Sequence, residues 1–143
     1  MGACAFVLGF VITMLGITSA TAGIRISHDN GGQIGHYLRQ YAMVRSSGES
    51  VIIDGPCLSA CTLVLGVVPR ERICVTSRAR LGFHAAWLPD ESGRPAPFHR
   101  ATQLMMGIYP AKIKRWIHRK GGLSSRMIYL RGRELASMYP ICR

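Results

Sequence analysis

Acid is scarce in this chain: seven Asp and Glu stand against 18 Lys and Arg, a net charge of +11 over 143 residues. A protein this basic carries a field that draws anions, whether lipid headgroups, cell-wall polymers or nucleic acid. No zinc-finger or RNP-type motif accompanies the charge, so a nucleic-acid role would rest on charge alone and is set aside. Internal repeats and low-complexity tracts are missing, which excludes solenoid and array architectures. No His or Cys pair completes a ligand set with Cys57 and Cys61, so neither a metal nor another cofactor is expected. What the chain does have is apolar surface. Hydrophobic residues make up 48%, enough for a packed core and too much for a disordered chain. The length suits one domain.

Charge of either sign is absent from residues 1–22. Ala5 to Leu15 is apolar, and small residues follow to Ala20-Thr21-Ala22. An apolar run of this length before an Ala-x-Ala site has the form of a secretory signal cut after Ala22. It departs from that form in having no Lys or Arg ahead of the run, and it is short for a bilayer span. The expectation is a signal over 1–22 and a folded domain over 23–143, exported to a periplasm or secreted. Cys4 leaves with the signal, and Cys57, Cys61, Cys74 and Cys142 remain. An even count in an exported chain favours two disulfides. Three pairings are possible, and the sequence does not choose among them.

The chain alternates strand and helix patterns, an α/β order. Ile24 to Ser27 reads as a short strand, and His28-Asp29-Asn30-Gly31-Gly32 as a turn. Apolar residues at Ile34, Tyr37, Leu38, Tyr41 and Val44 give a helical period, stopped by Ser46-Ser47-Gly48. Ser50 to Asp54 is a buried strand, Gly55-Pro56 a turn, and Leu58 to Val67 a buried helix. Strands are expected over Ile73–Thr76 and Ala79–Ala85. Leu88 to Pro97, rich in Pro, Gly and acid, reads as a surface loop and a flap over a site. Helices follow over Phe98–Tyr109, Ala111–Lys120 and Arg133–Tyr139. Ser124 to Leu130 reads as a short strand or irregular segment. Lys112, Arg115 and Arg119 share one helical face, a solvated basic stripe that could meet an anionic surface.

Two motifs carry chemistry. Ser59 sits between Cys57 and Cys61 in a small-residue turn after a strand, and His84 ends a later strand. A serine hydroxyl is a poor nucleophile until a base takes its proton, and an imidazole is the usual base. The negative oxygen that forms next needs preformed donors, which Gly31-Gly32 could supply from its backbone.

In order, Gly31-Gly32, Gly55-Pro-Cys-Leu-Ser59-Ala60 and Arg80-Leu-Gly-Phe-His84 resemble the Clp protease proteolytic subunit and its relatives on the crotonase-like fold. The spacings, 27 residues from Gly32 to Ser59 and 25 from Ser59 to His84, agree with that family. More closely, the chain resembles exported bacterial Clp-like proteins. The resemblance implies an N-terminally abbreviated, single-domain Clp/crotonase-like (ββα-type) fold. It implies Ser59 as nucleophile, His84 as general base, and the N–H groups of Gly32 and Ala60 as oxyanion donors. The substrate would be a peptide or small acyl compound.

One departure bears on activity. The family's third residue is an acid ahead of a closing helix, which Arg131 to Tyr139 resembles. The matching place here, Ser125 to Met127, holds no carboxylate, so Ser124 or Ser125 is expected to orient His84 instead. Asp90 and Glu91 lie in the loop, and Asp54 is expected to pin backbone beside the nucleophile turn. A non-catalytic module that keeps the fold and holds an anionic surface or partner is the other expectation. The oligomeric state is not legible.

Overall fold

The computed structural model describes residues 23–143; the expected signal over 1–22, with Cys4, lies outside the described residues. Within them the chain is a small mixed α/β domain. Strand β1, Ile24–Ile26, leads through the glycine turn into helix α1, Ile34–Ser47, which buries Tyr41 and Val44 and ends on Gly48 in the left-handed conformation. Strand β2, Val51–Ile53, then pairs parallel with β1. Its run of β-branched residues is what a strand covered on both faces requires. The next strand, β3, spans Pro56–Leu58. A 3-10 segment, Ser59–Leu63, runs straight into a single turn of α-helix, α2, Val64–Val67. After a second 3-10 turn come β4, Ile73–Val75, parallel to β2, and β5, Arg80–Phe83, parallel to β3.

Two three-stranded sheets result, and the chain passes from one to the other at a bend. The bend falls at Gly55, between β2 and β3. A side chain there would collide with the Ser27 carbonyl oxygen, so glycine is what lets the two segments cross this closely. Hydrogen bonds continue through the bend, from Asp54 N–H to Ile26 O, from Arg80 N–H to Gly55 O and from Asp29 N–H to Pro56 O. Asp54 locks the same place. Its buried carboxylate accepts from Arg78 (2.5 Å), Thr76 (2.7 Å) and Arg25 (2.6 Å). It therefore ties together side chains from β1 and from the turn between β4 and β5, where backbone was the expected target.

The second half of the chain covers the sheets. Strands β6, Trp87–Pro89, and β7, Pro95–Pro97, form an antiparallel hairpin where a loop was expected. Helix α3, His99–Ile108, and helix α4, Ala111–Arg119, follow. Helix α4 buries Ile113, Trp116 and Ile117 and leaves Lys112, Arg115 and Arg119 outside. Phe83 at the end of β5 packs against Tyr109 and Trp116, each with its ring centre 5.4 Å away. Strand β8, Ile128–Arg131, runs antiparallel to β5 and leads into helix α5, Gly132–Ala136.

The four cysteines form two disulfides, Cys57–Cys61 and Cys74–Cys142. Such bonds persist in oxidising, non-cytoplasmic compartments. Among the described residues no helix is long and apolar enough to cross a membrane.

Candidate active site

Ser59 is the first residue after β3, at the head of the 3-10 segment, with φ +56°. It is the one non-glycine residue at positive φ among the described residues. A side chain in that region costs free energy, and such residues persist only where their surroundings hold them. Several contacts do so here. The Ser59 carbonyl accepts from the Thr62 hydroxyl at 2.7 Å, and that hydroxyl pairs with Tyr109 Oη at 2.6 Å. Burial raises the Tyr109 pKa well above its ordinary value, so the phenol keeps its proton. Tyr41 donates to the Cys61 carbonyl at 3.0 Å, and the Cys57–Cys61 bond closes the turn across Ser59.

The glycine turn lies directly on this segment. A Cβ at Gly31 would stand 2.5 Å from the Leu58 carbonyl oxygen, 2.7 Å from Ser59 Cβ and 2.9 Å from the Ala60 nitrogen. Gly31 also has φ +80°, so any other residue would be both strained and without space. Asp29 shapes the turn. One of its carboxylate oxygens accepts the Gly31 N–H at 2.7 Å and the Tyr37 hydroxyl at 2.6 Å. Its own carbonyl accepts from Leu58 N–H at 2.8 Å, which ties the turn to β3. Burial, then the bond to Asp29, raises the Tyr37 pKa and keeps that phenol a donor. The N–H of Gly32 has no partner among the described residues, and that of Ala60 lies in the first turn of its 3-10 segment, where no intrahelical acceptor exists.

His84 follows β5 and lines the same cleft as Gly31, Gly32 and Ser59, a cavity of about 740 Å³. Its Nδ1 lies 2.7 Å from the Ala85 carbonyl oxygen. A carbonyl can only accept, so Nδ1 carries the proton and Nε2 keeps the free lone pair a base needs. Among the described residues no carboxylate forms an ion pair or hydrogen bond with this ring. Asp90 is occupied inside its own turn, accepting from Ser92 and Arg94. Ser124 reaches the region through its backbone: its carbonyl accepts the Ala85 N–H at 2.8 Å, while its hydroxyl accepts the Arg126 N–H. Ser125 lines a neighbouring cavity that His84 also borders. Trp87, Leu88, Phe98 and Leu104 form the apolar wall of the Ser59 cleft.

The structure thus brings Ser59, His84 and the two glycines to one cavity. Sequence reasoning had read Asp29 only as turn chemistry and missed its grip on Gly31. Its signal was present, since an Asp two residues before a glycine is the pattern of an Asx-turn. The Ala85 carbonyl had no signal, because every residue has one. Among the described residues, no three His, Cys, Asp or Glu side chains converge as a metal ligand set. In comparisons with known proteins, no family model matches the chain and no curated protein does either.

Proposed function

We propose that the domain is a serine hydrolase of the peptidase type, exported by its N-terminal segment and built on a Clp/crotonase-like fold. One observation carries the reading: Ser59, held at positive φ in a braced turn, shares a cleft with His84 and the Gly31-Gly32 turn. Ser59 Oγ attacks the carbonyl carbon of a peptide or acyl substrate. His84 Nε2 takes the proton, with the Ala85 carbonyl fixing the tautomer that leaves Nε2 free. The N–H groups of Gly32 and Ala60 receive the oxyanion; one such donor is typically worth about 3 kcal/mol of barrier. A neutral carbonyl behind the imidazole stabilises its charged form less than a carboxylate does, so slow turnover is expected.

The test is a fluorophosphonate probe on the purified domain. Labelling of the wild type, its loss in Ser59→Ala and strong slowing in His84→Ala are expected; an unlabelled wild type or a labelled Ser59→Ala overturns the reading. Intact mass of the exported protein checks the cut after Ala22.

A second reading is favoured by the exposed basic face of α4 and the net charge of +11. Here the domain holds an anionic surface and performs no chemistry. Retention on anionic vesicles that falls as salt rises supports it, and retention indifferent to salt counts against it.

A further inference from the structure

His84 also borders a second cavity, of about 650 Å³, whose lining does not include Ser59. The two cavities share His84, Ala86 and Trp87, so they adjoin along these residues as two lobes. The glycine turn and Ser59 border the first lobe alone. The second is walled by Ala96 on the hairpin and by Leu123 and Met127 before β8, with hydroxyls from Thr102, Ser124 and Ser125. Among the described residues neither lobe is lined by a carboxylate, a lysine or an arginine, and His84 and His99 are the imidazoles that border them. Each has the size and the mix of apolar walls with a few polar groups that ligand sites have.

From this we infer that the second lobe is the leaving-group subsite, and that the substrate is an uncharged, apolar amide or ester occupied on both sides of the scissile bond. The inference rests on the hydrolase reading above. The order of atoms in acyl transfer dictates the assignment. The carbonyl carbon must meet Ser59 Oγ, and its oxygen the amides of Gly32 and Ala60, so the acyl part lies in the first lobe. As the new C–O bond forms, the serine proton passes to His84 Nε2. As the C–N or C–O bond breaks, His84 returns that proton to the leaving atom. The leaving atom therefore sits against the imidazole, and whatever is attached to it continues past His84 into the second lobe. Water later attacks the acyl-Ser59 with His84 as base and releases the acid.

The experiment uses substrates that share N-acetyl-leucine as the acyl part and differ in the amine: ammonia, alanine amide or leucyl-alanine amide. Hydrolysis is followed on wild type and on Ala96→Trp, which fills the second lobe. At least a tenfold rise in kcat/KM from the smallest to the largest amine is expected. Ala96→Trp should erase most of that rise and cost the largest substrate at least tenfold more than the smallest. The wild-type series stands by itself should the variant fail to fold. Wild type that fluorophosphonate labels, but whose rates do not depend on the amine, or which cleaves none of the three, overturns this inference and leaves the hydrolase reading intact. A wild type that is not labelled overturns both.

Discussion

The two disulfides do different work. Cys74–Cys142 joins residues 68 apart in sequence and fastens the last segment beside β4, where Cys142 N–H also bonds the Val75 carbonyl. Cys57–Cys61 spans a separation of 4, is fully buried and brackets Ser59. Loop-closure entropy rises with the size of the loop, giving about 4 kcal/mol for the long bridge and about 2 kcal/mol for the short one. The long bridge thus belongs to the stability of the whole domain. The short one belongs to the shape of one turn. The contrast predicts that stability and the geometry of the Ser59 turn can be changed separately, each through its own covalent tie.

The largest expected effect lies on the long bridge. Cys74→Ala with Cys142→Ala should lower stability by about 4 kcal/mol, a melting shift on the order of 15 °C, while the folded fraction still reacts with fluorophosphonate. Loss of labelling in that folded fraction would break the contrast. Next comes Cys57→Ala with Cys61→Ala. About 2 kcal/mol of stability should go, but labelling should slow by about 100-fold, as misplacement of a reacting group by an ångström allows. Equal labelling of this variant and wild type would make the short bridge a stabiliser like the other.

Asp29 sharpens the same contrast without a covalent bond. Asp29→Ala strips an acceptor from Gly31 N–H and from Tyr37, at a cost of about 1–2 kcal/mol in stability, measured by urea unfolding. Labelling should slow about tenfold. Asp29→Asn keeps an acceptor oxygen and should recover most of the rate, which a purely structural loss would not. The smallest effect is on the fold side. Arg78, Thr76 and Arg25 hold the Asp54 carboxyl well below the usual carboxylate range. Its contribution is therefore complete above about pH 4 and fades as pH falls through the depressed folded value. The urea midpoint of wild type should exceed that of Asp54→Asn at pH 7, and the gap should narrow at pH 2. A gap that widens in acid would reverse the sign of this linkage.

Periodic and punctuated segments were legible in the sequence. Helix α1 announced itself by its apolar spacing, β1 by its alternation of apolar and polar residues, and β2 by its unbroken β-branched run. Ser59, His84 and the two glycines were singled out because each motif carries its own chemistry, and they line one cavity. What escaped was whatever depends on distant pairing. Strand β3 begins with Pro56, whose missing N–H reads as a turn, yet parallel β5 gives it a partner. The β6–β7 hairpin hid behind Pro95 and Pro97; prolines fit there because a two-stranded ladder has outer edges that need no donor. The expected buried helix from Leu58 is mostly 3-10, tightened by its junction with β3. Which cysteines join, and what stands behind the imidazole, are facts of space that no local pattern encodes.

The hairpin has a mechanical consequence. Among the described residues its ladder is shared with no third strand, and at its base Phe98 N–H bonds Ala86 O and Ala86 N–H bonds the Thr102 hydroxyl. The first of these bonds extends the hairpin's own ladder and the second reaches α3, so a bend at this base would strain no ladder bond of either three-stranded sheet.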